Sequence, residues 1–131
     1  MRSLVSGTAE GDVTVLTVAL SLWGGFDVHT GRISEPSHPS FGVLLSGRIV
    51  VMPTGRGSSS ASSILAESIR LGTAPAGIIL AEPDPILTVG AIVAQKLYGK
   101  SIPIVVCGAD FTQAKRLRIT ADKGAATIVE L

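Results

Sequence analysis

Short apolar segments alternate with longer amphipathic segments through the middle of the chain. The apolar runs at 49–52, 77–80 and 102–107 have the length of buried strands, whereas 59–71 and 85–98 carry apolar residues at helical spacing. Strands that alternate with helices in this way predict a βαβαβ unit, whose parallel strands are joined by right-handed crossovers. The middle of the chain therefore predicts an α/β fold.

Both predicted helices have recognisable ends. The first stops at Gly72, with Pro75 just beyond it, and the second has Asp84 as N-cap, Pro85 at the first helical position and Gly99 at its end. The second helix places its large apolar residues on one side, namely Ile86, Val89, Ile92, Val93 and Leu97.

The two ends of the chain have strand character. Residues 13–18 are rich in β-branched side chains, and 116–120 and 126–130, joined through Asp122-Lys123-Gly124, predict a hairpin. The stretch 24–42 is rich in Gly, Pro, Ser and His, which predicts a long ordered loop of the kind that often has a function. We expect three layers: a central parallel sheet, crossover helices, and a second, antiparallel sheet formed by the chain's ends.

Length and composition predict a single domain over residues 1–131. Hydrophobic residues make up 46% of the chain and charged residues only 16%. Either a partner covers part of this apolar surface, or small residues such as Ala, Gly and Val account for it inside the core. The 11 basic and 10 acidic residues give a net charge of +1, which is unlike the basic field of a nucleic-acid-binding protein.

The single cysteine, Cys107, excludes an internal disulfide and cannot by itself hold a metal or an iron–sulfur cluster. It follows the apolar run 104–106, which favours a buried structural thiol. The apolar segment 13–22 is too short and too β-branched for a membrane span, and no basic segment with a cleavage site precedes it. We expect a cytoplasmic protein with no bound metal and no membrane partner.

The candidate chemistry lies in Pro53-Thr54-Gly55-Arg56-Gly57-Ser58-Ser59-Ser60, between a predicted strand and a predicted helix. A helix N-terminus presents unpaired N–H groups and partial positive charge, which favour a carboxylate, a phosphate or an oxyanion. The segment is neither a Walker A loop nor Gly-x-Ser-x-Gly. Ser58 can bind an anion, act as a nucleophile or transfer a proton, and the simplest alternative is a helix-capping serine.

Other candidate residues flank this segment. The turns after parallel strands share one edge of a sheet, so the loops at 53–59, 81–85 and 107–111 should converge. Glu82 and Asp84 lie at this edge, where a helix cap and a solvated carboxylate are the alternative to catalysis.

The long loop contributes further candidates. Trp23 is expected to be a core residue or an interface anchor, and Gly24 and Gly25 would let the loop approach a partner. His38 is a candidate for the same site loop, although neither it nor His29 is paired in sequence with a base or a metal ligand.

A set of motifs in this order along nearly the whole chain resembles the small subunit of aconitase X enzymes. They are Leu20-Ser21-Leu22-Trp23-Gly24-Gly25-Phe26-Asp27, Thr30-Gly31-Arg32-Ile33, His38-Pro39, Gly55-Arg56-Gly57-Ser58-Ser59-Ser60, Ala74-Pro75-Ala76-Gly77-Ile78-Ile79 and Glu82-Pro83-Asp84-Pro85-Ile86-Leu87. The resemblance implies a swivelling β/β/α domain like the C-terminal domain of aconitase. It also implies a hydro-lyase that works only with an aconitase-like large subunit, as a heterodimer. Any iron–sulfur cluster would belong to that large subunit, and this chain would bind no cofactor.

The resemblance also implies roles for the motif. Ser58 matches the serine proposed as catalytic base in aconitase-like swivelling domains, and Ser59 would contact the ligand's anionic group, with Arg56, Gly57 and Ser60 completing the substrate-binding set. Ordinary aconitases and isopropylmalate isomerases continue this motif with Arg-Glu, where this chain has Ser60 and Ala61. That departure argues against a citrate-type substrate.

The substrate implied first is cis-3-hydroxy-L-proline, dehydrated to pyrroline-2-carboxylate, because residues 57–80 resemble the bacterial members of the family more than the archaeal ones. The alternative is the small subunit of a mevalonate 5-phosphate dehydratase. Two other classes stay open: a module that binds an anion without chemistry, and a structural partner that only stabilises another chain.

Overall fold

The computed structural model describes residues 1–55 and 59–131. Its strands and helices follow one another along the chain as β1 Arg2–Val5, β2 Gly7–Val15, α1 Leu22–Gly25, β3 Phe26–Asp27, β4 Arg32–Ile33, β5 Ile49–Met52, α2 Ala61–Leu71, β6 Gly77–Leu80, α3 Pro85–Tyr98, β7 Ile104–Val106, β8 Arg116–Asp122 and β9 Ala125–Glu130. The short helix α1 is a single turn interrupted by non-helical backbone at Trp23 and Gly24. None of the helices in the described ranges is long and apolar enough to cross a bilayer.

The predicted βαβαβ unit is confirmed. Strands β5, β6 and β7 are parallel neighbours, and α2 and α3 are the two crossovers between them. They belong to a sheet with the order β1-β7-β6-β5-β2-β8-β9, and β3 and β4 form a separate small hairpin within the long loop.

Several element ends differ from the prediction. Ser59 and Ser60 form a turn, so α2 begins at Ala61. Strand β7 begins after Pro103, since a proline has no N–H to donate to a sheet. The first long strand stops at Val15 rather than residue 18, and the terminal hairpin is longer than predicted, with only Lys123 and Gly124 between its strands.

Strand β2 takes part in two layers of the domain. Its residues 7–12 pair antiparallel with β8, whereas residues 13–15 pair in parallel with β5. A Cβ on Gly11 would lie 2.7 Å from the carbonyl oxygen of Gly47, so the chain entering β5 passes directly over this strand. The antiparallel sheet is thereby continuous with the parallel strands through β2.

Two apolar clusters lie on opposite faces of the parallel strands, because side chains alternate along each strand. On one face, Val50 and Leu80 belong to a cluster with Leu65 of α2. On the other, Ile49 and Ile79 cluster with Ile119 of β8. The order of layers is helices, parallel strands and antiparallel strands, which confirms the predicted three-layer β/β/α arrangement.

Helix α3 is packed against its neighbours through small residues. Gly90, Ala91 and Ala94 are buried with Leu87, and a Cβ on Gly90 would lie 2.6 Å from the carbonyl oxygen of Ser62 in α2. Of the large apolar residues that identify this helix in the sequence, Val89, Ile92, Val93 and Leu97 therefore lie exposed on its outer side, whereas Ile86 is partly buried against the core.

Candidate functional site

The turns that follow β5, β6 and β7 meet at one edge of the sheet, as predicted. The amide of Ala81 donates to the carbonyl oxygen of Pro53 at 3.0 Å, and the amide of Glu82 donates to the same oxygen at 3.1 Å. The amide of Cys107 donates to Leu80 at 2.9 Å. These bonds hold the three turns together as one rim at the carboxyl ends of the strands.

A cavity of about 190 Å³ opens at this rim. Its wall is mostly apolar and includes Met52, Pro53, Ala81, Cys107 and Phe111, which come from all three turns. Cys107 is partly buried and packs against the apolar cluster that contains Ile79 and Val105, so the expectation of a buried structural thiol is met only in part. β7 ends one residue before Cys107, which places this residue at the cavity wall.

Asp84 is the N-cap of α3, as predicted. Its Oδ1 accepts hydrogen bonds from the amides of Ile86 at 2.9 Å and Leu87 at 3.2 Å, and the residue is buried. Its other oxygen, Oδ2, faces Gly55. A Cβ added to Gly55 would overlap this oxygen and lie 3.2 Å from Cγ of Asp84. Glu82, by contrast, is exposed. The buried carboxylate therefore joins the first turn of the rim to the start of α3.

Gly55 also contacts the long N-terminal loop, through a parallel bridge to Leu20. Just beyond that bridge, Trp23 is 59% exposed, so it is a surface residue and not part of the core. Gly24 has a φ of 78°, and Gly25 is buried, with space for a Cβ limited by Leu20 at 3.2 Å. The loop thus lies beside the rim with its tryptophan facing outward.

His38 is buried and connects two parts of the long loop. Its Nδ1 accepts a hydrogen bond from the amide of Ser40 at 3.0 Å, so the proton lies on Nε2, which donates to the carbonyl oxygen of Val18 at 3.1 Å. Both ring nitrogens are therefore hydrogen-bonded within the loop and hold it together. Nothing local in the sequence indicates this contact, because its two ends are 20 residues apart.

The serine-rich start of α2 lies at the rim. Ser59 and Ser60 are exposed in the turn that precedes the helix. The hydroxyl of Ser62 donates to the carbonyl oxygen of Ser59 at 2.9 Å, and that of Ser63 donates to Ser60 at 2.8 Å. Ser62 and Ser63 thus have a local structural role. The predictions for Arg56, Gly57 and Ser58 fall on residues outside the described ranges and remain predictions.

The described part of the rim is acidic. Residues 53–55, 59–60, 81–84 and 107–112 contain three carboxylates and no Lys, Arg or His; the three are Glu82, Asp84 and Asp110. The pKa of Asp110 is lowered, first by the backbone N–H of Thr112 and then by its hydroxyl. Over the described residues, His, Cys, Asp and Glu side chains do not gather in threes around a place for a metal ion.

Comparison with known proteins identifies the family. The model of the aconitase X swivel domain matches residues 1–128 of this chain. The chain belongs to the aconitase X family. One relative of this aconitase X chain is the cis-3-hydroxy-L-proline dehydratase of Pseudomonas aeruginosa, which is 46% identical over 112 residues. These residues cover 86% of this chain but only 19% of that protein. The phosphomevalonate dehydratase small subunit of Pyrococcus furiosus is 34% identical over 131 residues, covering 98% of this chain and 92% of that one.

The structural comparison agrees with this membership. The crystal structure of Thermococcus kodakaraensis aconitase X in its holo-form superimposes with a TM-score of 0.82 at 34% identity, over 98% of this chain and 95% of that chain. The aconitase X chain described here thus spans about a fifth of the hydroxyproline dehydratase it matches and nearly all of a protein named as a small subunit.

Proposed function

We propose that this chain is the swivelling small subunit of an aconitase X hydro-lyase, and that it acts together with an aconitase-like large subunit. The observation that carries the proposal is the alignment over 98% of this chain and 92% of a protein named as a dehydratase small subunit. The chain matches about a fifth of a complete dehydratase, so an active enzyme also needs the part that this chain does not match. The rim of three turns is the surface that the large subunit would cover to close the active site.

Ser58 is the proposed catalytic base. Removal of a proton next to a carboxylate places negative charge on the substrate, and the site must stabilise that charge in the transition state. A serine is a weak base in water, so its alkoxide requires nearby positive charge, the N-terminal dipole of α2 and exclusion of solvent. Arg56 and the N–H groups of Ser59 and Ser60 are assigned to substrate oxygens, because one oxyanion donor contributes only ~3–4 kcal/mol.

The proposed substrate is cis-3-hydroxy-L-proline, which loses its α-proton and its 3-hydroxyl group as water. Support comes from the 46% identity to the Pseudomonas aeruginosa enzyme over 112 residues. The charges of the described rim support it too, since Glu82 and Asp110 would favour the ring ammonium of an amino acid. Mevalonate 5-phosphate carries a phosphate and a carboxylate and no cation, so it gains no such attraction from these two carboxylates.

Mevalonate 5-phosphate is the second candidate substrate, and one observation favours it. Proteins named phosphomevalonate dehydratase small subunit match over nearly their full length, as in Pyrococcus furiosus, and that of Methanopyrus kandleri is 46% identical over 88 residues. The proton that would be removed again lies next to a carboxylate, so the role assigned to Ser58 is the same for both substrates.

Coexpression with the large subunit, followed by dehydration assays on both compounds, tests the proposal. We expect turnover of cis-3-hydroxy-L-proline, and loss of roughly 10²-fold or more of kcat in Ser58→Ala, as for removal of a general base. Ser63→Ala is the matched control, because its hydroxyl is bonded to the backbone of Ser60. An assembled Ser58→Ala enzyme with near-normal turnover would remove the assignment of the base.

The remaining outcomes separate the alternatives. Turnover of mevalonate 5-phosphate alone would replace the substrate while retaining the reaction. Full activity of the large subunit without this chain would indicate a structural partner. An anion-binding module would be indicated by two results together: the two chains do not copurify, and this chain alone binds phosphate or a carboxylate.

A further inference from the structure

Helix α3 carries a stripe of large apolar side chains on its outer side. The four residues of this α3 stripe follow helical spacing, and their exposed fractions are 49% for Val89, 44% for Ile92, 38% for Val93 and 67% for Leu97. A surface helix normally turns such a stripe toward the core and keeps polar residues outside. In this chain the arrangement is reversed, and a continuous apolar surface is left without cover among the described residues.

Rotation of α3 about its axis could not bury the stripe. The side of the helix that faces α2 is formed by Gly90, Ala91 and Ala94. A Cβ on Gly90 would already lie 2.6 Å from the carbonyl oxygen of Ser62 and 3.2 Å from Cβ of Leu65. Only the smallest side chains fit at this contact, so valine or isoleucine cannot replace them there. The outward position of the stripe is therefore fixed by the packing of the domain.

Charges at the two ends of α3 are opposite in sign. Glu82, in the segment that leads into the helix, is exposed, and so are Lys96 in the last turn and Lys100 just beyond it, whereas the N-cap Asp84 is buried. Two such helices packed antiparallel would place the basic end of each beside the acidic end of the other. Their helix dipoles would also run in opposite directions, which favours the pair. The stripe is thus complementary to a second copy of itself.

We propose that two copies of this chain associate through their α3 stripes, antiparallel and about a two-fold axis. Such an interface uses the same surface patch on both subunits, which is the commonest symmetry of soluble oligomers. Ile92 and Val93 lie at the middle of the stripe and meet their equivalents near the axis, while Lys100 of one copy approaches Glu82 of the other.

The interface adjoins a second feature of the surface. A cavity of about 320 Å³ lies beside the stripe and is lined by Val5, Ser6, Ile92, Gln95, Lys96 and Ser101.

Four aliphatic side chains cover less than the roughly 800 Å² per partner of a stable interface, so we expect a weak dimer of the isolated chain. The exposed Trp23 belongs to the loop beside α2, whereas α3 lies between α2 and β1, so dimerisation leaves that loop for another partner. Glu82 belongs both to this interface and to the rim, so the dimer is expected of the isolated chain only.

Sedimentation equilibrium of the isolated chain over a range of concentrations tests this proposal. The wild-type chain should be in monomer–dimer equilibrium, and Val93→Glu should raise the dissociation constant at least tenfold, because two added carboxylates meet near the axis. Val129→Glu adds the same charge at an equally exposed position on β9 and should leave the dimer intact. Circular dichroism of each variant verifies that the fold is retained.

A charge exchange tests the antiparallel register independently of the apolar stripe. Glu82→Lys and Lys100→Glu should each weaken the dimer, and the double variant should restore it. Any one of three results would overturn the proposal. The wild-type chain is monomeric at every concentration, Val93→Glu and Val129→Glu weaken the dimer equally, or the double variant does not restore the dimer. Loss of large-subunit binding in Val93→Glu, with a monomeric wild-type chain, would assign the stripe to the large subunit instead. Dehydratase activity of the coexpressed pair tests the proposed function separately.

Discussion

Gly55 and Asp84 are in such close contact that no side chain fits between them. A Cβ on Gly55 would overlap Oδ2 of Asp84 and would also lie 3.2 Å from Cδ1 of Leu87. Gly55 belongs to the turn after β5, and Asp84 caps α3 in the turn after β6. The contact fixes the distance between these two turns, and with it the position from which the Gly55–Ser60 motif begins.

The first prediction concerns Gly55→Ala. Gly55 is not among the glycines with positive φ, so alanine is compatible with the backbone and the effect is steric. The added methyl group must displace Asp84 from its cap, and we expect a loss of about 1–3 kcal/mol in the free energy of unfolding, measured by urea denaturation. Gly108→Ala is the control, because a Cβ there meets open space. Equal stability of the two variants would contradict the interpretation.

The second prediction separates the capping role of Asp84 from a catalytic one. Asparagine caps helices about as well as aspartate, whereas alanine cannot accept the amide hydrogen bonds of Ile86 and Leu87. Asp84→Ala should therefore lose about 1 kcal/mol of stability, and Asp84→Asn should stay close to wild type. We also expect the coexpressed Asp84→Asn enzyme to retain its turnover. A stable Asp84→Asn variant with strongly reduced kcat would instead give the carboxylate a catalytic role.

The helices were predictable because their signals are local. The predicted bounds 85–98 agree with α3, since Asp84, Pro85 and Gly99 mark its ends within a few residues. The central strands at 49–52 and 77–80 were equally clear as uninterrupted apolar runs. The apolar side of α3 was visible as well, but its outward orientation was not, because it depends on the contact between Gly90 and α2.

Long-range contacts account for most of what the sequence did not indicate. The division of β2 between two layers depends on pairing with β8, which follows more than 100 residues later. The ring of His38 reaches Val18 across the long loop. At the site, parallel topology was sufficient to predict that the three turns converge. The chemistry assigned to the motif at 55–60 comes from the family resemblance and not from the local sequence, because a serine at a helix start is usually a cap.

The third prediction concerns His38→Ala. The substitution removes the acceptor of the Ser40 amide and the donor to Val18 in a buried place, so we expect a loss of about 1–3 kcal/mol in the free energy of unfolding. Hydrogen exchange of the Ser40 amide should be faster, because its acceptor is gone. His29→Ala is the control, since that side chain is exposed. Unchanged exchange at Ser40 would show that the ring does not hold the loop.

The fourth prediction is a pH effect at the cavity rim. The amide and hydroxyl of Thr112 both donate to Asp110, which lowers its pKa below the ordinary 3.8. A lowered pKa means that the ionised form stabilises the fold above the unfolded-state value, and that this contribution is lost as the pH falls through the folded pKa. The turn 108–112 should therefore loosen below about pH 4, where carboxylates become protonated.

An NMR titration of the Asp110 carboxyl carbon measures this directly. Thr112→Val removes the hydroxyl but retains the amide, which is the larger cause, so the pKa should rise only part of the way toward 3.8. Thr120→Val changes an exposed threonine on β8 and should leave the pKa of Asp110 unchanged. A Thr112→Val variant with an unaltered pKa would exclude the hydroxyl as a cause.

The last prediction concerns Gly90→Ala at the contact between α3 and α2. Alanine favours a helix over glycine by up to about 1 kcal/mol, so propensity alone predicts a gain in stability. The new Cβ would lie 2.6 Å from the carbonyl oxygen of Ser62, however, and backbone cannot move aside as a flexible side chain does. Overpacking costs about 1–3 kcal/mol and should prevail, which gives a lower midpoint in urea. Gln95→Ala, on the exposed side of the same helix, should not lower it. A Gly90→Ala chain more stable than wild type would mean that α3 can move away from α2, and the outward position of its apolar stripe would then no longer be fixed by packing.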